Sequence, residues 1–281
     1  MSDTPPAAPR LFVFGLGYSA QRLANRLMAL GWRVAGTTRD EDKAYRLSVA
    51  GIETHFFDRG RPLPDPAAAL AGTTHLLSSV PPDEWGDPVV DHHAGDLAQL
   101  AGVAWAGYLS TTGVYGDRDG GWVDEDSPLA PSTARGRARV AAEAEWQAIP
   151  GLPLHVFRLA GIYGPGRGPF AKVRQGTARR IVKPGQVFSR IHVDDIAQVL
   201  AASIDRPRPG ELGQQPGQLG AVGPGQRVGV GGREAGQHGA QGRGPRPERG
   251  GALGVGAGAP PDEQTRARGR LADQRRLADP G

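Results

Sequence analysis

The sequence predicts an α/β fold, a doubly wound parallel sheet with helices on both faces, on three observations. Residues 10 to 205 alternate short apolar runs with amphipathic stretches, the pattern of buried parallel strands joined by crossover helices. The first apolar run leads through a glycine-containing turn straight into a helical pattern, Phe14-Gly15-Leu16-Gly17-Tyr18-Ser19-Ala20. Every Phe, Tyr, Trp, Ile, Met, Lys, Asn and Ser lies before residue 205, so the material from which a core is built ends there.

In chain order, strands are expected at LFVFG from 11, RVAGTT from 33, THFF from 54, THLLSSV from 74, AWAGYLS from 104 and LHVFRLA from 154. Between the first two, Ala20, Leu23, Ala24, Leu27 and Met28 recur at helical spacing, and Gly31 stands where a C-terminal cap belongs. Further helices are expected over Asp42 to Ala50, between His92 and Ala101, over Ala134 to Gln147, and after Val193. The resulting division is a dinucleotide-binding Rossmann domain over residues 9–205 and a Gly/Pro/Arg-rich tail over residues 206–281, with the ligand crevice at the carboxyl ends of the strands.

Composition excludes several classes. The chain of 281 residues has no cysteine, so disulfide frameworks and thiolate metal sites are out. Its longest apolar runs, such as VAWAGYL from 103, fall far short of the roughly 20 residues of a membrane-spanning helix. The opening MSDTPPAAPR lacks the positive charge and apolar stretch of a secretory signal, and a cytoplasmic location is expected. The net charge is +4, but from residue 210 onward 10 Arg face 7 acidic residues, which leaves the rest nearly neutral. A basic chain average is therefore no sign that the folded part binds nucleic acid or an anionic membrane.

The motifs give the chemistry. In the turn after the first strand, Gly15 permits a tight bend, Gly17 removes a side chain that would block a pyrophosphate, and Ala20 allows close helix–strand packing. The helix N-terminus then presents free N–H groups to phosphate. The expected dinucleotide contacts are Gly15, Leu16, Gly17, Tyr18 and Ser19, joined by Thr38, Arg39, Asp58 and, after the fourth strand, Ser79. Where a carboxylate would accept from the ribose 2′-hydroxyl, the chain reads Gly36-Thr37-Thr38-Arg39. A guanidinium there suits a 2′-phosphate, so NADP is favoured over NAD, although Arg39 is also readable as a solvated residue before an Asp40 helix cap. Asp58 can meet the adenine amino group or cap a turn. His92 and His93 find no further ligands at metal spacing and read as a solvated helix start, and no metal site is expected. Asp194 or Asp195 is the expected cap of the last helix. Neither a serine-hydrolase elbow nor a Walker loop occurs.

Four segments, GLGYSA from 15, STTGVYGD from 110, RLAGIYGPGR from 158 and RIHVDDIA from 190, occur in this order along the chain. Together they resemble the extended or atypical branch of the short-chain dehydrogenase/reductase superfamily, the NAD-dependent epimerase/dehydratase-like proteins. Atypical members of the YeeZ type are most similar, sharing the Ser-rich end of the fourth strand before Pro81-Pro82 and the block FSRIHVDDIA. The resemblance implies that Thr111 occupies the catalytic Ser/Thr position and orients a substrate oxygen during hydride transfer, while Tyr115 and Tyr163 look like packing residues with polar tips. It also exposes a departure. Where the superfamily usually carries YxxxK, this chain has Arg135 and Arg139, and a guanidinium cannot exchange a proton as a phenol does. Two classes stay open: an oxidoreductase or epimerase-like enzyme on a small, nucleotide-linked substrate, or a non-catalytic NADP-binding sensor.

At Arg206-Pro207-Arg208-Pro209-Gly210 the resemblance stops, and the 72 residues from Gly210 onward, with 20 Gly and 7 Pro, read like a GC-rich gene in the wrong frame. The rival is an Arg/Gly tail that contacts RNA, but no aromatic is present for base stacking, and nucleic acid is not expected as a partner. The DNA decides between them. Shifting the frame near codon 210 is expected to yield a strand followed by amphipathic helices; early stops in both other frames would refute the shift.

Overall fold

Side-chain alternation along the central strand β1 (Arg10–Phe14), buried throughout, sets the layers, because successive residues of a strand face opposite sides of the sheet. Leu11 and Val13 enter one hydrophobic layer and Phe12 and Phe14 the other. The computed structural model describes residues 8–179 and 187–208. The low-complexity tail expected beyond them, with its reading frame, lies outside the described residues.

Along the chain, β1 is followed by α1 (Tyr18–Met28), β2 (Arg33–Thr38), α2 (Glu41–Val49), β3 (Glu53–Phe56), α3 (Pro66–Leu70), β4 (His75–Ser78) and α4 (Pro88–Ala98). Then come β5 (Trp105–Thr111), a 3-10 turn (Thr112–Tyr115), α5 (Ala134–Gln147), β6 (Leu154–Leu159), β7 (Gly161–Tyr163), α6 (Pro169–Arg174), β8 (Arg190–His192) and α7 (Val193–Asp205). The six expected strands pair in parallel in the order β3-β2-β1-β4-β5-β6, with β7 and β8 forming a separate parallel pair. This is the doubly wound arrangement, and its strand order reverses between β1 and β4. Residues of α1, α2 and α7 pack on one face with Leu77, Trp105 and Leu109. Residues of α3, α4 and α5 pack on the other with Leu76, Tyr108 and Phe57.

Four elements go beyond the sequence reading. α3 has five residues, α6 six, and β7 and β8 three each, too short for a period to declare itself. Two expectations need correcting. α4 begins at Pro88 and not at His92: Asp87 caps it through the N–H groups of Val89 and Val90, with Pro at the first helical position. His93 therefore lies inside the helix and faces the core, stacked on Phe14 with Nδ1 2.9 Å from Asp96, so only His92 remains a solvated position. At α7 the cap is neither aspartate. The His192 ring accepts from the Asp194 N–H at 3.3 Å, which places Asp194 and Asp195 in the first turn, where the helix dipole favours negative charge.

Trp105 is fully buried and donates its indole N–H to Ser203 Oγ at 2.9 Å, tying β5 to α7 from across the chain. Trp105→Ala is expected to lower stability by about 3–5 kcal/mol and Ser203→Ala by about 1 kcal/mol, both read from urea unfolding. Equal small losses would show that α7 is not anchored through this side chain.

Candidate functional site

Every strand of the main sheet runs the same way, so all six carboxyl ends open onto one edge. The turn after β1 occupies the middle of that edge. Gly15 adopts φ 81°, a conformation that favours glycine. Its N–H donates to Thr37 Oγ1 at 2.8 Å, and its carbonyl accepts from Ser79 Oγ. Leu16 donates its N–H to the Thr37 carbonyl at 2.8 Å and buries its side chain in the core. Leu16 shapes the turn, with its N–H taken by Thr37 and its side chain by the core. A side chain added at Gly17 would meet only Ser79 Oγ at 3.5 Å and the Gly15 carbonyl at 3.9 Å, so the space above this residue is open.

Gly17 caps α1 without a side-chain hydrogen bond, and the first turn holds no acidic residue. The N–H groups of Tyr18, Ser19 and Ala20 precede the first intrahelical donor, the Gln21 N–H bonded to the Gly17 carbonyl at 3.0 Å, so the positive end of the helix dipole points over the turn. Gln21 reaches back to donate to the Leu16 carbonyl at 2.7 Å. The Tyr18 hydroxyl donates to the Pro165 carbonyl at 2.9 Å, and Arg167 lies 5.5 Å from the Tyr18 ring. This contact brings the segment following β7 beside the glycine turn. The chemistry of the donor set suits a phosphate: open backbone N–H groups, a glycine cradle, and no competing carboxylate.

On the side of β2 and β3, Thr38 is buried and its Oγ1 accepts from the Asp40 N–H at 3.3 Å. Asp40 caps α2 through the Lys43 N–H. Arg39 is exposed and, among the described residues, forms neither a hydrogen bond nor an ion pair. Asp58 accepts from the Gly60 N–H at 2.9 Å and sits 3.9 Å from Arg61, so one of its oxygens already caps a turn.

On the side of β4, β5 and β6, Thr111 is half-buried at the end of β5 and its Oγ1 accepts from the Gly113 N–H at 3.2 Å. Its own proton is free to be donated. Beneath it lies a polar network that the motif reading missed. Ser110 Oγ donates to Glu143, which is 2% exposed. Arg158 meets Glu143 Oε2 through Nη2 at 2.8 Å and donates Nη1 to the Tyr115 hydroxyl at 3.0 Å. Burial raises the Tyr115 phenol against the pull of Arg158, which keeps it protonated. The unbroken acid-free stretch around Arg158 was a signal in the sequence, but its partner fifteen residues upstream was not. Tyr115 also lines a shallow cleft of about 150 Å³ with Thr112, Gly116, Arg118, Trp122 and Val187.

The two arginines at the YxxxK positions diverge. Arg135 is exposed in the first turn of α5. Arg139 turns inward, donating Nη1 to the Tyr108 hydroxyl at 3.0 Å and to the Leu109 carbonyl at 2.8 Å. Among the described residues no group of three or more His, Asp or Glu is placed to hold a metal ion, and no helix is long and apolar enough to cross a membrane.

No family model matches the chain. A conserved protein of unknown function from Silicibacter pomeroyi DSS, known from its structure, is 55% identical with a TM-score of 0.66, and the match covers 72% of this chain and 70% of that one. Protein YeeZ of Escherichia coli (strain K12) is 27% identical over 212 residues, 72% of this chain and 76% of its own. The Bordetella bronchiseptica enzyme WbmG, solved in complex with NAD and UDP, is 21% identical with a TM-score of 0.59 over 73% of this chain and 71% of its own, a likeness of fold.

Removing Glu143 leaves Arg158 without its charge partner in a half-buried position. Glu143→Ala is expected to destabilise by about 3–5 kcal/mol, measured by urea unfolding, and to loosen the 3-10 turn that carries Tyr115. A loss below about 1 kcal/mol would mean that the pair is solvated and holds nothing in place.

Proposed function

We propose that the chain is an atypical, epimerase-like member of the short-chain dehydrogenase/reductase superfamily and that it binds a nicotinamide dinucleotide, NADP in preference to NAD, over the turn after β1. The uncapped N-terminus of α1 behind Gly15 and Gly17 carries this reading, because it supplies phosphate-binding N–H groups at the point where strand order reverses. Gly15, Gly17, Tyr18 and Ser19 line the pyrophosphate position, with Ser79 bracing the turn from β4. Asp58 and Thr38 flank the adenosine half. Arg39, unpaired at the end of β2, takes the 2′-phosphate. WbmG, of the same fold, was solved in complex with NAD and UDP, which supports a dinucleotide and a small, nucleotide-linked substrate here.

The bound dinucleotide would supply or accept hydride. Thr111, with its lone pair occupied by the Gly113 N–H, donates a hydrogen bond to the substrate oxygen and orients it. On this reading the protein is an oxidoreductase or epimerase-like enzyme. The positions of Arg135 and Arg139 favour a second reading, a dinucleotide-binding protein without turnover, since neither side chain can relay a proton.

Titration with NADPH and NADH tests the cofactor. Arg39→Ala is expected to weaken NADPH by about tenfold or more, the worth of a charge-assisted hydrogen bond, and to leave NADH nearly unchanged. Equal losses would refute the assignment of Arg39. Screening small nucleotide-linked substrates for a change in NADPH absorbance then separates the enzyme from the sensor, with Thr111→Val abolishing any activity found.

A further inference from the structure

A tight turn after β7 ends on a cation without a partner. In Gly164-Pro165-Gly166-Arg167 the two outer residues exchange both backbone hydrogen bonds, the Gly164 N–H to the Arg167 carbonyl at 2.8 Å and the Arg167 N–H to the Gly164 carbonyl at 2.9 Å. Proline suits the second position, and Gly166, at φ 73°, takes the left-handed conformation that the third position of a type II turn demands. The turn is pinned to the start of α1. The Tyr18 hydroxyl donates to the Pro165 carbonyl at 2.9 Å, and a side chain added at Gly164 would meet that hydroxyl at 2.5 Å and Val193 at 2.7 Å. Arg167 leaves the turn with its guanidinium 5.5 Å from the centre of the Tyr18 ring, within the range of a cation–π contact. It is exposed, and among the described residues its side chain has neither a hydrogen bond nor an ion pair.

Tyr18 is the first residue of α1, so a cation on its ring lies within one side-chain length of the open N–H groups of that helix. Charge is otherwise missing there. Phe14 to Gln21 contains no Lys or Arg, and Arg22 beyond them is paired with Asp194 at 3.5 Å. The sequence also holds no acidic residue between Glu145 and Asp194 that could neutralise Arg167 from its own segment. We propose that Arg167 is the counter-charge of the pyrophosphate, its planar fork closing on phosphate oxygens that the helix N–H groups leave unmet. The assignment rests on the dinucleotide reading of the site and adds a residue to it. The main chain supplies the seat, and a side chain from the far end of the domain supplies the charge. Tyr18 is then a positioning residue twice over, its hydroxyl holding the turn and its ring holding the guanidinium.

Fluorescence titration of the full chain with NADPH and NADH tests the assignment. Arg167→Ala is expected to weaken both by about tenfold, the worth of a charge-assisted hydrogen bond, so the preference between them stays that of the parent, unlike the outcome for Arg39→Ala. ADP-ribose, which keeps the pyrophosphate and lacks the nicotinamide, should lose as much as NADH when used to displace it, and Arg167→Lys should recover part of the loss. Tyr18→Phe should weaken both dinucleotides less than Arg167→Ala does, and should cost nothing further when added to it, because the two act through one contact. The melting temperature of Arg167→Ala should hold, since the side chain is exposed. Unchanged affinities overturn the proposal and leave the cation to an anionic substrate. A loss that spares ADP-ribose overturns it by moving Arg167 to the nicotinamide end, and a fall of several degrees in melting temperature alongside the loss overturns it by making the residue structural. A parent that binds neither dinucleotide refutes the cofactor reading as well, whereas a parent that binds them no better than Arg167→Ala refutes this assignment alone.

Discussion

Two hydrogen bonds at Gly15 hold together the point on which the candidate site depends. Its N–H is taken by Thr37 Oγ1 on β2, and its carbonyl by Ser79 just past β4. These are the two strands that flank β1, and between them the chain changes its direction of progress through the sheet. A backbone strapped on both sides cannot collapse into the gap that opens there, and the helix that follows must start with its N–H groups over the gap. On the proposed function, phosphate affinity at this position would come from restraint of the main chain and would need no cationic side chain in the turn itself. Leu16, buried and bonded to Thr37, holds the turn from within.

The same edge is built differently on its two halves. Towards β3 the polar groups are short and locally satisfied: Thr38 serves Asp40, Asp40 serves Lys43, and Asp58 serves Gly60. Arg39 stands out because it has no such duty. Towards β6 the polar groups are long and tied across the fold, with Glu143 on α5 gathering Ser110 from β5 and Arg158 from β6. A carboxylate with almost no exposure is tolerable only when charge and hydrogen bonds surround it. This arrangement ties β5, β6 and α5 together below the edge while leaving Thr111 at its rim.

Arg135 and Arg139, at the positions where the resemblance expects Tyr and Lys, take different structural roles. Arg139 lies against the Tyr108 ring and bonds its hydroxyl and the Leu109 carbonyl, so it fastens α5 to β5. Tyr108 in turn sits beside the fully buried Trp146, whose indole N–H reaches Asp87 at the head of α4. Arg139 thus strengthens the packing of a helix on the sheet.

Local pattern determined much of this protein. The six sheet strands, the helix of α1 and the bounds of α5 at Ala134 and Gln147 follow from runs of apolar residues whose period shows within one element. The glycine turn was legible because strand, turn and helix adjoin in sequence. Tertiary structure decided what depends on residues far apart. His192 caps α7 because β8 delivers it to that corner, an outcome that two adjacent aspartates concealed. His93 turned inward because Asp87 started α4 a full turn earlier than expected. The pairing of Glu143 with Arg158, the inward course of Arg139 and the bond from Tyr18 to Pro165 join side chains with no periodic relation. Such contacts are fixed by which helix faces lie against which strands, and that is settled only when the whole sheet has closed its layers.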